Sequence, residues 1–430
     1  MSTLTILIVC VFCVGYICIA LEGLTRVNKA AIALLMCVCC WTLLMVGPAA
    51  YYPAIPGEEV IHHIAEVIEH HLGDAAGTLF FLMGAMTIVE IVDSNGGFNF
   101  VRDTLKTRSK RKLMWRMAFM TFFLSAILDN LTTSIVMIMV LRKLVASRGD
   151  RLIYAALVVI SANSGGAFSP IGDVTTIMLW IKGVITTQGV ITEIFIPSLL
   201  SMLVPAFILQ YQLEGKFDKS QNLPKADIRQ FTKAQRDIIF WLGVGGLCFV
   251  PVFKTITHLP PFMGILLVLG VLWTVTEIFH YNTAEDDTMA KRVSDLLSKI
   301  DLSTIMFFLG ILMAVAVLQE VGVLTMLGGV LDSTFEGNHY LVTGIIGVLS
   351  SIVDNVPLVA GCMGMYPVAA AGDMAVDGVF WQLLAYCAGV VVMGLEKITF
   401  GWYMKKITWV AFAGYLAGIV CYWAEKTFLF

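Results

Sequence analysis

Long apolar runs separated by short polar segments recur along almost the whole chain. A helix needs about 20 mostly apolar residues to cross a bilayer, and most of these runs approach that length. The pattern predicts spans at 3–20, 30–47, 75–92, 152–181, 191–212, 238–253, 261–280, 303–319, 379–395 and 407–424. Two further apolar segments, 117–141 and 340–371, carry an aspartate and an asparagine near their centres. We therefore expect an all-α polytopic membrane protein.

The composition agrees with that expectation. Hydrophobic residues make up 58% of the chain and charged residues 14%, whereas about a quarter of a soluble domain is charged. No nucleophile motif, cofactor loop or metal triad stands out, so we expect a protein that is not an enzyme and has no cofactor. The expected partners are membrane lipid and monovalent cations, with no nucleic acid, and a homodimer is one arrangement left open.

Lysine and arginine positions orient the predicted spans, because short cytoplasmic loops collect these residues. Arg26 and Lys29 place the first connection in the cytoplasm, and no Lys or Arg occurs from 30 to 101. The loop at 47–74 is acidic, so we expect it on the external side. The polar, basic linker at 213–236 is expected in the cytoplasm.

The external loop contains four of the seven histidines, in the stretch HHIAEVIEHH. An external surface helix explains them most simply. Histidine titrates near pH 6.5, so a pH-sensing role is the alternative, and metal binding is a third. The pH-sensing candidates are His62, His63, His70 and His71.

The apolar segments 117–141 and 340–371 differ in the charged residues on either side of them. Basic residues crowd both sides of 117–141, which predicts a hairpin that enters from the cytoplasm and turns back. No Lys or Arg lies between 299 and 397, so the hairpin at 340–371 is expected to enter from outside. Non-helical turns at that depth are tolerated only where protein or a wet cavity surrounds them.

Both hairpins carry the motif Ser-x-x-x-Asp-Asn at an offset of 225 residues. An ionisable residue inside a bilayer is costly and usually lines a pathway for ions or substrates. A motif that occurs twice, with basic residues beside only one of its copies, predicts an inverted-topology transporter whose site lies between the halves. The motif consists of Ser125, Asp129 and Asn130 in the first half and of Ser350, Asp354 and Asn355 in the second.

Four regions follow from this pattern. The first holds N-terminal helices and the external His/Glu-rich loop, and the third holds a cytoplasmic linker and two connecting helices. The second and fourth are the inverted transport repeats. The boundaries are 1–73, 74–212, 213–302 and 303–430.

The stretch SANSGGAFSPIGDVTT (161–176) follows the first hairpin and is expected to be a broken helix. Gly165, Gly166, Pro170 and Gly172 would interrupt it. An interrupted membrane helix frees carbonyls that bind a cation, and carboxylate, amide and hydroxyl oxygens complete such a shell. The candidate ligands are Asn163, Asp173, Thr175 and Thr176. A kinked helix with internally satisfied polar groups is the alternative.

The second half lacks an equivalent stretch. AYCAGVVVMGLEKITF (385–400) contains no Gly-Ser cluster and no proline, so the second broken helix is expected to be shortened. The run 379–395 could still cross a thin bilayer as one plain helix.

Competition for a carboxylate is the expected mechanism, because an aspartate partly removed from water can hold either a proton or a cation. We expect Asp129 and Asp173 as the principal carriers, with hydrogen bonding to hairpin amides as the alternative role for Asp129. Asp354 and Asn355 would form the opposing half. Na⁺ is expected at Asp129, Asn130, Asn163 and Asp173, with Ser125, Thr175 and Thr176 as neutral ligands.

Four stretches resemble motifs of NhaD-type sodium/proton antiporters of the ion transporter superfamily, and the similarity covers essentially the whole chain. They are SAILDNLTTS, SANSGGAFSPIGDVTTIMLW, SSIVDNVPLV and GLEKITFGWYMKKITW. Every candidate ligand above matches, and so does Glu90, for which a solvated interfacial residue is an equal alternative. The family's Gly/Ser-rich loop is missing after AYCAG.

The resemblance implies two inverted repeats, each with a re-entrant hairpin and an unwound helix. It also implies exchange of Na⁺ or Li⁺ for H⁺ across a bacterial inner membrane, in sodium and pH homeostasis. Two alternatives stay open: a cation-coupled carrier of an anion or dicarboxylate, and an inactive relative that has lost the second loop.

Overall fold

The computed structural model is helical throughout its regular parts. It describes residues 2–98, 101, 104–105, 107–145, 147–213, 215–217, 231–283, 293–350, 354–390 and 406–428, and no β-strand occurs in these ranges. The N-terminal part forms α1 (Thr3–Ala20), α2 (Glu22–Thr25), α3 (Lys29–Val46), α4 (Gly57–Ser94), α5 (Lys110–Leu128) and α6 (Asn130–Leu144).

The rest of the chain continues the same architecture. The middle part forms α7 (Arg148–Ala167), α8 (Val174–Lys182), α9 (Thr187–Leu209), α10 (Lys233–Thr257), α11 (Pro261–Thr283) and α12 (Val293–Leu297). The C-terminal part forms α13 (Leu302–Glu320), α14 (Val323–Thr334), α15 (His339–Ser350), α16 (Asn355–Met365), α17 (Val379–Val390) and α18 (Thr408–Phe428).

Within the described ranges, seven helices are long and apolar enough to cross a membrane: α1, α3, α4, α9, α10, α11 and α13. Large apolar side chains cover their outer faces, and Leu35, Val46 and Trp241 are each 69% exposed. An aqueous protein rarely exposes such continuous apolar surface, whereas lipid accommodates it. The all-α polytopic membrane protein predicted from the sequence is confirmed.

Helix α4 joins the expected external surface helix and the predicted span 75–92 into one element. It runs unbroken over 38 residues, which is about 57 Å at about 1.5 Å per residue. This length exceeds the bilayer core of about 30 Å, so one end of the helix extends beyond the core. The four histidines therefore lie on a helix, and the boundary expected between 73 and 74 falls inside it.

The first predicted hairpin is two helices that meet at Asp129, which separates α5 from α6. The predicted span 152–181 is also interrupted, because α7 ends at Ala167 and α8 begins at Val174. The break begins later than expected, since Gly165 and Gly166 are still helical.

Gly165 and Gly166 allow neighbouring backbones to pack closely and do not break the helix. A Cβ atom at Gly165 would lie 2.0 Å from the carbonyl oxygen of Phe122 in α5. Only a glycine lets the backbones of α5 and α7 approach so closely, because any other residue would place a carbon inside that oxygen.

Helix α7 forms the centre of the molecule, and every residue from 154 to 167 is buried. It packs against α5, α6, α9 and α17. In the second half, α15 packs against α17 as α5 packs against α7, and α16 and α17 both contact α8. The two halves therefore meet beside the break between α7 and α8.

The inverted repeat itself stays a prediction, although the two motifs occupy matching places at helix starts. The shortened second broken helix was expected after 390, and residues 391–405 lie outside the described residues. The predicted run 379–395 is described as far as Val390.

Candidate functional site

Each of the two expected carrier aspartates precedes the first turn of a helix. Asp129 caps α6, and its two carboxylate oxygens accept from the Thr132 N–H and hydroxyl at 2.8 Å each. Asp173 caps α8 and accepts from the Thr175 N–H at 3.5 Å and hydroxyl at 3.0 Å. Helix starts leave N–H groups unpaired, and an aspartate there satisfies one of them.

The backbone of Asp129 is strained. Its φ of 77° and ψ of 156° lie in a region that is essentially reserved for glycine. Such a conformation costs about 1–3 kcal/mol in a residue with a Cβ atom. A residue with a Cβ atom keeps such a conformation only where the surrounding structure compensates for the strain.

The carboxylates and amides expected from both halves come together here. The Asn130 amide donates to Asn163 Oδ1 at 3.3 Å, and the Asn355 amide donates to Asp173 Oδ2 at 3.4 Å. Asp173 is 1% exposed, and it lies near enough to Asp129 for their charges to interact. Residues predicted from separate stretches therefore form one polar group where the halves meet.

Most of the predicted serine and threonine hydroxyls donate to backbone carbonyl oxygens. Ser125 donates to the Ala162 carbonyl at 2.5 Å, and Ser350 donates to the Ala388 carbonyl at 3.2 Å. The Thr176 hydroxyl donates to the carbonyl oxygen of Asp173, the residue that caps its own helix. Thr175 is the predicted hydroxyl that reaches a carboxylate, and it is fully buried.

Asp354, the aspartate of the second-half motif, has a different partner from Asn355, the residue that follows it. Asp354 caps α16 through the Val356 N–H at 3.2 Å. Its other oxygen lies 3.2 Å from the Lys29 ammonium group. Asn355 thus reaches the first-half aspartate, whereas Asp354 is ion-paired with the start of α3.

Sequence reasoning missed Thr132 and Lys29 as neighbours of the motif aspartates. The signal for Thr132 was present, because a residue three positions after a helix-capping aspartate commonly bonds to it. Lys29 lies 325 residues from Asp354, and no local pattern links them.

Glu90 is not part of this polar group. It lies near the end of α4, where Ser94 and Lys299 donate to its carboxylate. Those contacts join α4 to the segment before α13. They fit the interfacial role that the sequence left open, and a functional role for Glu90 stays a prediction.

The histidine-bearing part of α4 contacts the end of α13. His71 Nε2 lies 2.8 Å from Glu320, and the Tyr52 hydroxyl donates to the same carboxylate at 2.5 Å. Burial, together with that carboxylate, raises the pKa of Tyr52, so its hydroxyl keeps its proton. His63 packs edge-on against Tyr52, while His62 is exposed.

A cavity of about 830 Å³ opens beside these groups. His70, His71 and Glu320 line one part of it, and Met178 of α8 and Ala360 of α16 line another. The cavity therefore extends between the histidine-bearing helix and the two helices that begin at or next to Asp173 and Asn355.

This arrangement suits a small hard cation. Two carboxylates, two amide oxygens and the carbonyls of the α7–α8 break are oxygen donors of the kind such ions prefer. Among the described residues, no lysine or arginine pairs with Asp129 or Asp173. An anion would need such a partner.

Residues 16–390 match the model of the CitMHS citrate transporter family. The chain belongs to this family.

The alignments with three named relatives cover nearly all of this chain. "Sodium/proton antiporter 1" of Arabidopsis thaliana is 43% identical over 96% of the chain and 71% of its own length. "Sodium/proton antiporter 2" of the same plant is 39% identical over 97% of the chain and 99% of its own length. "Na(+)/H(+) antiporter NhaD" of Vibrio cholerae is 28% identical over 97% and 91%.

These relatives confirm the resemblance to NhaD-type antiporters seen in the sequence motifs. The protein is a multi-pass membrane transporter and not an enzyme.

Proposed function

We propose that the protein exchanges Na⁺ for H⁺ across its membrane at Asp129 and Asp173. The observation that carries the proposal is the contact of Asp173 with the second-half Asn355 amide, at a place where the charge of Asp129 also acts on Asp173. The names of the relatives, which are sodium/proton antiporters, support it. Li⁺, with the same charge and hardness, is proposed as a second substrate.

The chemistry follows from two neighbouring negative charges. Two close carboxylates repel each other, and either a proton or a cation relieves the repulsion. Binding of Na⁺ beside Asp129 and Asp173 therefore displaces protons, and protonation displaces Na⁺. Exchange results if the occupied site opens to one side of the membrane at a time.

Proposed cation ligands are the oxygens of Asp129, Asn130, Asn163, Asp173 and Thr175. Carbonyl oxygens of residues 168–173, which lie between α7 and α8, would complete the shell. Asn355 acts one step away, because its amide donates to Asp173 and so orients that carboxylate.

The family description makes transport of citrate the alternative function. Citrate carries carboxylates, and the Asp129–Asp173 pair would repel them. We therefore propose the cation as the substrate of this site, and the test below includes citrate.

Two finer points of the sequence analysis stay predictions. They are the bacterial inner membrane as the location, for which the relatives include both plant and bacterial proteins, and assembly as a homodimer. The proposal also states that the protein is active although it lacks the second Gly/Ser-rich loop.

The test uses everted membrane vesicles from a host that lacks its own sodium antiporters. After respiration acidifies the vesicles, Na⁺, Li⁺, K⁺ or citrate is added while a pH-sensitive dye is followed. We expect proton release with Na⁺ and Li⁺, and no release with K⁺ or citrate. Because protons compete for the same oxygens, less Na⁺ should be needed for half the response as the pH rises.

Asp129→Asn and Asp173→Asn should each abolish the response, because an amide cannot exchange a proton for a cation. Asn also caps helices well, so the fold should survive. The matched control is Asp237→Asn on an exposed turn of α10, which should respond like the wild type. A full response in Asp129→Asn, or none in the folded wild-type protein, would contradict the proposal.

A further inference from the structure

The two aspartates of the repeated motif have different partners. Asp129 is bonded to Thr132 and, among the described residues, to no basic side chain. Asp354 lies 3.2 Å from the Lys29 ammonium group. Both members of this ion pair are partly exposed, with 32% of the Lys29 side chain and 24% of the Asp354 side chain accessible.

The framework around Lys29 holds its ammonium group in place. Lys29 is the first residue of α3, and the preceding Asn28 bonds to Ser303 at the start of α13. The ammonium group lies 4.2 Å from the ring centre of Phe307, one turn further along α13. Helix α13 in turn packs against α16, which Asp354 caps.

We propose that Lys29 is a tethered counter-cation of Asp354, which takes the place that a transported cation would otherwise have beside the second-half carboxylate. This inference rests on the proposed function. Only the first-half carboxylates then exchange Na⁺ for H⁺. Asp354 stays neutralised throughout the cycle by a charge that cannot leave.

This assignment differs from the sequence-based prediction that Asp354 helps to bind the ion. The two hypotheses predict different behaviour when charges are removed. Removal of one member of an ion pair leaves the other charge uncompensated, whereas removal of both charges leaves none. A carrier carboxylate, in contrast, cannot be replaced by an amide whatever happens to its neighbour.

The experiment compares Lys29→Gln, Asp354→Asn and the double variant in the same everted vesicles, with membrane levels measured by immunoblot. Each single variant should lose about tenfold or more in Na⁺-dependent proton release, the size expected when contacting charges are uncoupled. The double variant should return to within about threefold of the wild type. Lys29→Arg should retain activity, because it keeps the charge.

Three results would overturn the inference. They are a double variant as inactive as Asp354→Asn, full activity in Lys29→Gln, and loss of activity in Lys29→Arg at normal membrane level. If the single variants fail to reach the membrane, the double variant decides alone: exchange within about threefold of wild type supports the pair, and loss of exchange in a folded protein overturns it.

Asp129→Asn separates this inference from the proposed function. If that variant still exchanges Na⁺, the assignment of the first-half site is wrong. The outcome for Lys29 and Asp354 is then read separately from their own double-variant comparison.

Discussion

At the scale of single residues, two aspartates combine helix capping with the proposed binding of a proton or a cation. Asp129 and Asp173 each bond to the first turn of the helix that they precede. The structural role that the sequence allowed for Asp129 is therefore present, and it does not compete with the proposed one. A carboxylate with about four acceptor positions can serve a helix start and still bind a cation.

The strained backbone of Asp129 allows these two roles to be separated. Asp129→Gly relieves a conformation that costs about 1–3 kcal/mol in a residue with a Cβ atom, and glycine is an acceptable helix cap. We expect the purified Asp129→Gly protein to unfold at a higher temperature than Asp129→Ala. Both should lack sodium-dependent proton release. A lower melting temperature for the glycine variant would contradict the strain argument.

At the scale of the elements, the break between α7 and α8 depends on how closely α5 lies against α7. Gly165 is helical, and its missing side chain makes room for the Phe122 carbonyl. The glycine pair was read from the sequence as a helix breaker. The structure shows it as a contact surface, because the break itself begins after Ala167.

Gly165→Ala should therefore separate α5 from α7. Overpacking of this kind costs about 1–3 kcal/mol, and the displacement should also lower exchange. The matched control is Gly149→Ala in the same helix, where a Cβ atom would meet nothing within 4 Å. Thermal unfolding of the two purified variants provides the comparison, and equal melting temperatures would show that the close approach is unimportant.

At the scale of the whole molecule, the proposed site lies where the two halves meet. Asn355 from the second half donates to Asp173 from the first, and α16 and α17 both contact α8. The serines of the two motifs bond in a parallel way to α7 and α17. These contacts match between the halves, and the inverted repeat itself stays a prediction.

Asn355→Ala tests the contact between the halves. A hydrogen bond to a charged group contributes about 1.5–3 kcal/mol, so apparent Na⁺ affinity in vesicles should fall about tenfold or more. Ser350→Ala is the control from the same motif, since the bond of Ser350 among the described residues is to a neutral carbonyl of α17. It should change the affinity less than threefold, or less than about 0.7 kcal/mol. Similar losses in both variants would argue against a specific role for the Asn355–Asp173 contact.

The sequence by itself determined the membrane class, most of the helices, the repeated Asp-Asn motifs and the broken segment before Asp173. These features depend on local composition, because bilayer insertion follows apolar length and helix breaks follow proline, glycine and capping residues. The continuity of α4 was missed because its polar first half was interpreted as a surface helix separate from the following span.

Only the tertiary structure decided which of the marked residues meet. Asn355 contacts Asp173, and Lys29 reaches Asp354 from 325 residues away. Both contacts arise from helix packing between distant parts of the chain, and no short stretch of sequence encodes that packing. The sequence marked two equivalent aspartates, and their surroundings made one a candidate carrier and the other half of an ion pair.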